Sequence, residues 1–317
     1  MSVPSLLSLD SQSYIRDRGA RLLHPHEYAD SSTSVAYPHH DHSGSGYLRD
    51  PPRSGLPPST QFAHSDHIRH SDSSGRKRAL CIGINYRGKS NQLRGCIQDA
   101  KNIRALLMKN GYKDEDIKLL TDETDNITPT RDNVLDALSW LVDGVSSDDS
   151  LFIHYSGHGS QIVDTNGDEV DRKDEVIECI GPSFISDDEI HEKLKSLPCC
   201  CRLTTLFDSC HSGTILDLPY VYDCDGQRER AVAATVLDNI SADVICWSGA
   251  KDNQEGADTP QGGVMTRAFI KAFQENTNRS YKQLLHSTRI SIVNNHHQQI
   301  AQLGSSRKIV PEDKFTL

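Results

Sequence analysis

Short apolar runs recur along this chain at intervals that predict buried strands. They cover Ala79 to Ile84, Ile117 to Leu120, Ser150 to Tyr155, Val176 to Ile180, Leu203 to Phe207 and Ala242 to Trp247. Runs of this length without regular polar alternation are what strands covered on both faces leave in a sequence. Between them the apolar residues change period. Ile97, Ala100, Ile103, Leu106 and Leu107 fall on one face of a helix from Cys96 to Asn110, with Gly111 as its stop signal. A second helix, capped by Thr130, carries Val134, Leu135, Leu138 and Leu141. A third opens at Asp187-Asp188, with Asp187 read as its N-cap, and ends near Ser196. Met265 to Phe273 and Ser280 to Asn294 complete the set, the last with a Ser280-x-x-Gln283 capping box. Strands alternating with helices predict an α/β fold: a mostly parallel central sheet covered by helices.

Residues 1–75 break this pattern. They hold eight of the fifteen histidines and two Pro-Pro pairs, and few aliphatic residues. Such a segment buries too little surface to offset its ordering entropy, so a disordered arm is expected, its histidines solvated. The folded part is then 76–317. Within it a polar stretch from Tyr220 to Ala231 separates a part ending near 222 from one beginning near 235. Arg76-Lys77-Arg78 sits at the arm's boundary, where proteolytic nicking concentrates.

Composition narrows the function. The net charge is -10 and no basic stripe offsets it, which argues against nucleic acid and for a cation or a basic peptide as partner. No apolar run approaches the roughly 18 residues of a membrane span. The start lacks a secretory pattern, and all nine cysteines, an odd number without a C-x-x-C pair, follow residue 80. Reduced thiols in the cytoplasm or nucleus are the expectation, without a structural zinc. Cys199-Cys200-Cys201 is read as core packing ahead of a strand.

Two of the strands end in chemistry. Leu203 to Phe207 runs into Asp208-Ser209-Cys210, and Ser150 to Tyr155 runs into Ser156-Gly157-His158-Gly159. Open α/β sheets place their sites at such strand ends. A thiol near pKa 8.5 needs an imidazole to raise its thiolate fraction and later to protonate a leaving amine. His158 is read as that base; His154 lies mid-strand and should point into packing, and His211 directly follows the cysteine and should face away. Gly157 and Gly159 allow close backbone approach and offer N–H groups to a developing oxyanion.

His154-Tyr-Ser-Gly-His-Gly-Ser-Gln161, Asp208-Ser-Cys-His-Ser-Gly213, Lys251-Asp-Asn-Gln254 and Ala257-Asp-Thr259 closely resemble motifs of the type I metacaspases, relatives of the caspases. The His-to-Cys spacing also matches the caspase rule of about 50 residues. The resemblance runs from Lys77 to the C-terminus. It implies a caspase-like three-layer α/β sandwich behind a disordered pro-arm, and a Cys-His endopeptidase cleaving proteins after Arg or Lys. It also implies a zymogen with self-processing, calcium as activator, no organic cofactor, a monomer, and a role in cell death or stress and protein quality control. Carried over, Cys210 is the nucleophile and His158 the general base. Cys96, Asp99, Ser156 and Asp208 form the pocket for a basic P1 side chain, where carboxylates and a hydroxyl suit a guanidinium. Asp174, Asp187, Asp188 and Asp217 match the calcium site.

An EF-hand starting at Asp164 is excluded, because Glu169 stands where that loop needs glycine. Arg172-Lys173 departs from the family by placing positive charge before Asp174, and Gln299 to Ser306 only loosely resembles the family's ending. Candidate processing positions are Arg78, Arg228, Arg230 and Lys251. The competing readings are a caspase-like scaffold acting non-enzymatically in proteostasis and a metal buffer built on the histidine arm.

Overall fold

Strands that are apolar on both faces need helices on both sides, and that is how this chain folds. The structure, a computed structural model, describes residues 74–164, 172–210, 212, 215–222, 230–231, 240–249, 258–259, 262–295, 297 and 299–317. The 1–73 arm, His211, Arg228 and Lys251 therefore lie outside the described residues.

In chain order the elements are β1 (Lys77–Gly83), α1 (Cys96–Lys109), β2 (Ile117–Thr121), α2 (Arg131–Val142), β3 (Ser150–Ser156), β4 (Gly159–Val163), β5 (Lys173–Glu178) and β6 (Phe184–Ser186). Then follow α3 (Asp187–Leu194), β7 (Arg202–Asp208), β8 (Tyr220–Tyr222), β9 (Arg230–Ala231), β10 (Asp243–Ser248), β11 (Asp258–Thr259), β12 (Gly262–Gly263), α4 (Val264–Glu275), α5 (Tyr281–Asn294) and β13 (Gln302–Ser305).

The main sheet has the order β2-β1-β3-β7-β10-β13-β8-β9. Its first five strands are parallel, and β13, β8 and β9 follow antiparallel. Side chains alternate between the two layers. Ala79, Cys81, Phe152, Leu206, Ile245 and Trp247 face α1, α4 and α5. Leu80, Ile82, Ile153, Phe207 and Val244 face α2 and α3. A separate sheet, β4-β5-β6, stands off the end of β3. The α/β architecture with a mostly parallel, helix-flanked sheet is the expected one.

Four details differ from the sequence reading. The N-cap of α3 is Ser186, in a full capping box with Glu189; Asp187 is already helical. Cys201 alone of the cysteine triplet is core, since Cys199 is exposed and Cys200 half-buried. The Gln302–Ser305 segment is a strand, made so by pairing with β10 and β8 and not by its own pattern. Arg78 is no flexible boundary residue. It lies within β1, 6% exposed, and its guanidinium donates to the carbonyls of Trp140 (2.6 Å), Leu141 (3.3 Å) and Asp143 (2.8 Å) at the C-terminus of α2. Its peptide bond is held between β2 and β3, so it is withdrawn as a processing position in the folded chain.

Candidate active site

β3 and β7 are parallel neighbours in register, and their last paired residues are Ser156 and Asp208. Each strand is continuous apolar sequence up to that pair and then turns polar. His158 and Cys210 each follow by two residues, so both leave the sheet at the same level, and both are half-buried. The two exits are packed hard together. A methyl group built on Gly159 would collide with the carbonyl oxygen of Cys210, so only glycine lets the loops approach this closely.

The histidine is held by residues that motif reading missed. Two buried phenols fasten its backbone: the His158 N–H donates to Tyr86 Oη (3.0 Å), and Tyr155 Oη donates to the His158 carbonyl (2.6 Å). The phenols contact each other at 3.1 Å; Tyr86 Oη donates to the Glu178 carbonyl at 2.8 Å, and Tyr155 Oη lies 3.0 Å from the same oxygen. The imidazole lies over the Tyr86 ring, with centroids 4.6 Å apart. Its Nε2 is 2.6 Å from the Asn91 carbonyl oxygen. A carbonyl only accepts, so Nε2 carries the proton and Nδ1 is left as the basic nitrogen of the neutral ring. Tyr86 has a φ of 52°, an uncommon conformation for an aromatic residue and a local sign of constraint that sequence does not display.

The competing histidine behaves as expected. His154 is fully buried, its Nε2 lies 3.2 Å from Thr266 Oγ1 on α4, and burial pushes its pKa down to about 3. Four other thiols, Cys81, Cys179, Cys201 and Cys246, are pushed up to about 12 by burial, which leaves them protonated and inert. Cys210, at the rim, is half-buried. The oxyanion reading needs one correction. The Gly157 N–H donates to the Asp208 carbonyl at 3.4 Å, where it ties β3 to β7. It is committed in this geometry, and Gly159 remains as the candidate.

Next to the strand ends lies a buried acidic constellation. Asp99 on α1 is 0% exposed and Asp208 is 6% exposed. Ser156 Oγ and the Gly263 N–H both donate to Asp99 Oδ2, at 3.0 and 2.7 Å. The Thr266 N–H donates to Asp208 Oδ2 at 2.7 Å. Both carboxylates thus meet the N-terminus of α4, whose free N–H groups and dipole attract negative charge. Gly262 (φ 124°) lies against Asp99 and Gly263 against Asp208, each so closely that a side chain would displace the carboxylate. Cys96, one turn before Asp99 on α1, is buried. Asp99, Ser156 and Asp208 are brought together as expected. The glycine pair and Thr266 are additions, carried by a weakly patterned segment.

The second acidic group is in the β4-β5-β6 sheet. Asp174, Asp187 and Asp188 have carboxylate oxygens all within 4.8 Å of one another. Asp187 Oδ2 accepts from the Glu175 N–H and Oδ1 from the Asp188 N–H, both at 2.8 Å. Burial pushes the Asp187 carboxyl up to about 8, with Glu175 and Asp174 adding to the shift and those two N–H bonds opposing it. Asp217 does not join this group among the described residues; it occupies a turn with a φ of 49° after β7.

The family model for the metacaspase peptidase C14 domain matches residues 77–219. Metacaspase-1A of Neurospora crassa is 40% identical over 81% of this chain and 69% of its own. Metacaspase-1 of Pyricularia oryzae is 39% identical over 80% of this chain and 78% of its own. Among solved structures, protein GSU0716 of Geobacter sulfurreducens is 23% identical and superposes with a TM-score of 0.58 over 76% of this chain and 98% of that one, a likeness of fold.

Proposed function

The chain belongs to the metacaspase family of caspase-like cysteine peptidases, of the fungal type, and on that premise we propose that it is a calcium-activated endopeptidase cleaving after Arg or Lys. The observation that carries the specificity is the pair of buried carboxylates, Asp99 and Asp208, beside the strand ends that present His158 and Cys210. Two ionised carboxylates in a dry site are costly alone and are suited to a guanidinium or ammonium entering between them.

The mechanism follows from the same residues. Nδ1 of His158, its tautomer set by Asn91, takes the thiol proton as Cys210 Sγ attacks the scissile carbonyl. The imidazolium then protonates the leaving amine, giving a thioester to Cys210, which water hydrolyses with His158 again acting as base. Tyr86 and Tyr155 hold the imidazole's backbone against drift through this cycle.

Calcium fits the second acidic group. Clustered carboxylates of which one is pushed up to about 8 are relieved by a divalent cation, and the donors are all hard oxygens. Asp174, Asp187 and Asp188 would hold it, with other oxygens completing the shell. Bound there, a cation would neutralise the cluster. The sheet that carries these residues begins at Gly159, directly after His158, with β4 and β5 paired from Gly159–Ile177 to Val163–Lys173. We place self-processing at Lys251 or at Arg230, which lies in the two-residue edge strand β9 and not between two strands as Arg78 does, and the enzyme in the cytoplasm or nucleus, acting in cell death or protein quality control.

The test is hydrolysis of matched peptides ending in Arg or in Asp, with calcium and with chelator, by wild type and Cys210→Ala. Calcium-dependent cleavage after Arg, lost in the variant, is expected. No cleavage of either peptide by folded, calcium-loaded protein overturns the proposal and favours a scaffold role.

A further inference from the structure

The opposite end of the sheet holds a second concentration of charge. Arg202 begins β7 and Asp243 begins β10, and the two are register partners. Arg202 Nη2 lies 2.7 Å from Asp243 Oδ2, and Arg307 Nε, just past β13, lies 3.1 Å from Asp243 Oδ1. Arg202 Nη1 also donates to Tyr281 Oη at 2.7 Å. One carboxylate therefore serves two guanidinium groups, and Arg202 is 8% exposed. A buried charge left over from such a pairing calls for a counter-charge.

Donors are left over as well. Arg202 Nε and Arg307 Nη2 are buried and make no hydrogen bond among the described residues. Buried N–H groups of this kind are uncommon, and each calls for an explanation. Both arginines line a cavity of about 260 Å³, together with Asp243, Tyr281, Asp313 and Lys314. Three cations and two carboxylates face it, a surplus of one positive charge in a chain whose net charge is -10.

We propose that this cavity is a binding site for a small oxyanion of the phosphate class. Guanidinium forks match oxyanions, and donors arriving from Arg202, Arg307 and Lys314 suit a tetrahedral acceptor better than a planar carboxylate. The volume admits a free small ion and excludes a folded segment. The site lies about 20 Å from Asp208, at the other end of β7, by the rise of that strand, so it is separate from the peptidase machinery. An anion bound there joins the starts of β7 and β10 to the C-terminal segment that carries Arg307 and Lys314.

The experiment is thermal unfolding of the full-length protein without calcium, in 20 mM phosphate, acetate or chloride at matched ionic strength and pH, for wild type, Lys314→Ala and Arg307→Gln. Phosphate is expected to raise the wild-type Tm by about 2–4 °C over chloride, as ligand linkage requires at concentrations well above Kd. The rise should shrink by half or more in both variants. Lys314 is exposed, so its variant tests the site even where Arg307→Gln fails to fold. An equal rise in all three proteins is general exclusion of phosphate from the surface and overturns the proposal. So does the absence of any rise, or an equal rise with acetate.

Discussion

Ser156 and Asp208 are the last register pair of β3 and β7, and each belongs to the acidic pocket while standing two residues before a member of the dyad. The proposed recognition and chemistry would therefore be mounted on one pair of adjacent strands, whose relative position is fixed by sheet hydrogen bonds. Gly157 adds a further tie, from its N–H to the Asp208 carbonyl.

The first expectation concerns the glycine that lets the strand exits meet. Gly159→Ala sets a methyl group against the Cys210 carbonyl oxygen and pushes the two loops apart. Misplacement by a fraction of an ångström to an ångström costs about 100-fold in turnover, so kcat should fall by that order while Tm changes little. Steady-state kinetics beside a thermal melt checks it.

Tyr86→Phe keeps the ring under His158 and deletes the hydroxyl that receives its N–H. A fall of about tenfold in kcat is expected, with KM little changed, because the loss is in positioning the base. An unchanged kcat would remove Tyr86 from the account.

The pH dependence of stability follows from His154. Its folded pKa, about 3, is depressed below the unfolded value near 6.5, so its contribution is fully present above pH 6.5 and is lost as pH falls toward 3. At pH 4.5 the loss amounts to roughly 2–3 kcal/mol. His154→Gln should therefore show a shallower decline in urea-measured stability between pH 7 and 4.5 than wild type.

Asp188→Asn removes one charge from the cluster with Asp174 and Asp187. The calcium concentration for half-maximal activity should rise by about tenfold or more. Calcium titration of peptide cleavage reads it, and an unshifted midpoint would move the activating cation elsewhere.

At the core, Phe315 packs edge-on against Trp247 at 5.3 Å and Tyr281 at 5.6 Å, and is 1% exposed. Phe315→Ala should cost about 3–5 kcal/mol in denaturant unfolding.

What sequence revealed depended on how each element is stabilised. β1, β3, β7 and β10 announce themselves because both faces are buried, and α5 because its capping box is local chemistry. β4 is half-exposed and β13 is Gln-Leu-Gly-Ser; their strand character comes from pairing partners distant in sequence, which no local pattern encodes. The dyad was legible as two strand ends. The pocket's aspartates came from family likeness, and their glycine and α4 partners appear only once α1, β7 and α4 converge. Tyr86 and Asn91 were invisible for the same reason. Asp217 was read as a fourth ligand by motif position; among the described residues the cluster consists of Asp174, Asp187 and Asp188.

Arg78 carries a consequence if the proposed preference for arginine holds. Its side chain is spent on three carbonyls at the C-terminal end of α2, and its peptide bond runs inside a sheet. The anchoring begins earlier still, with the Gly75 N–H on the Asp148 carbonyl and the Arg76 N–H on Asp149 Oδ1. An active molecule meeting a folded copy of itself finds this arginine without a reachable bond. On the proposed specificity, the first strand thereby keeps this arginine out of reach of another copy of the enzyme.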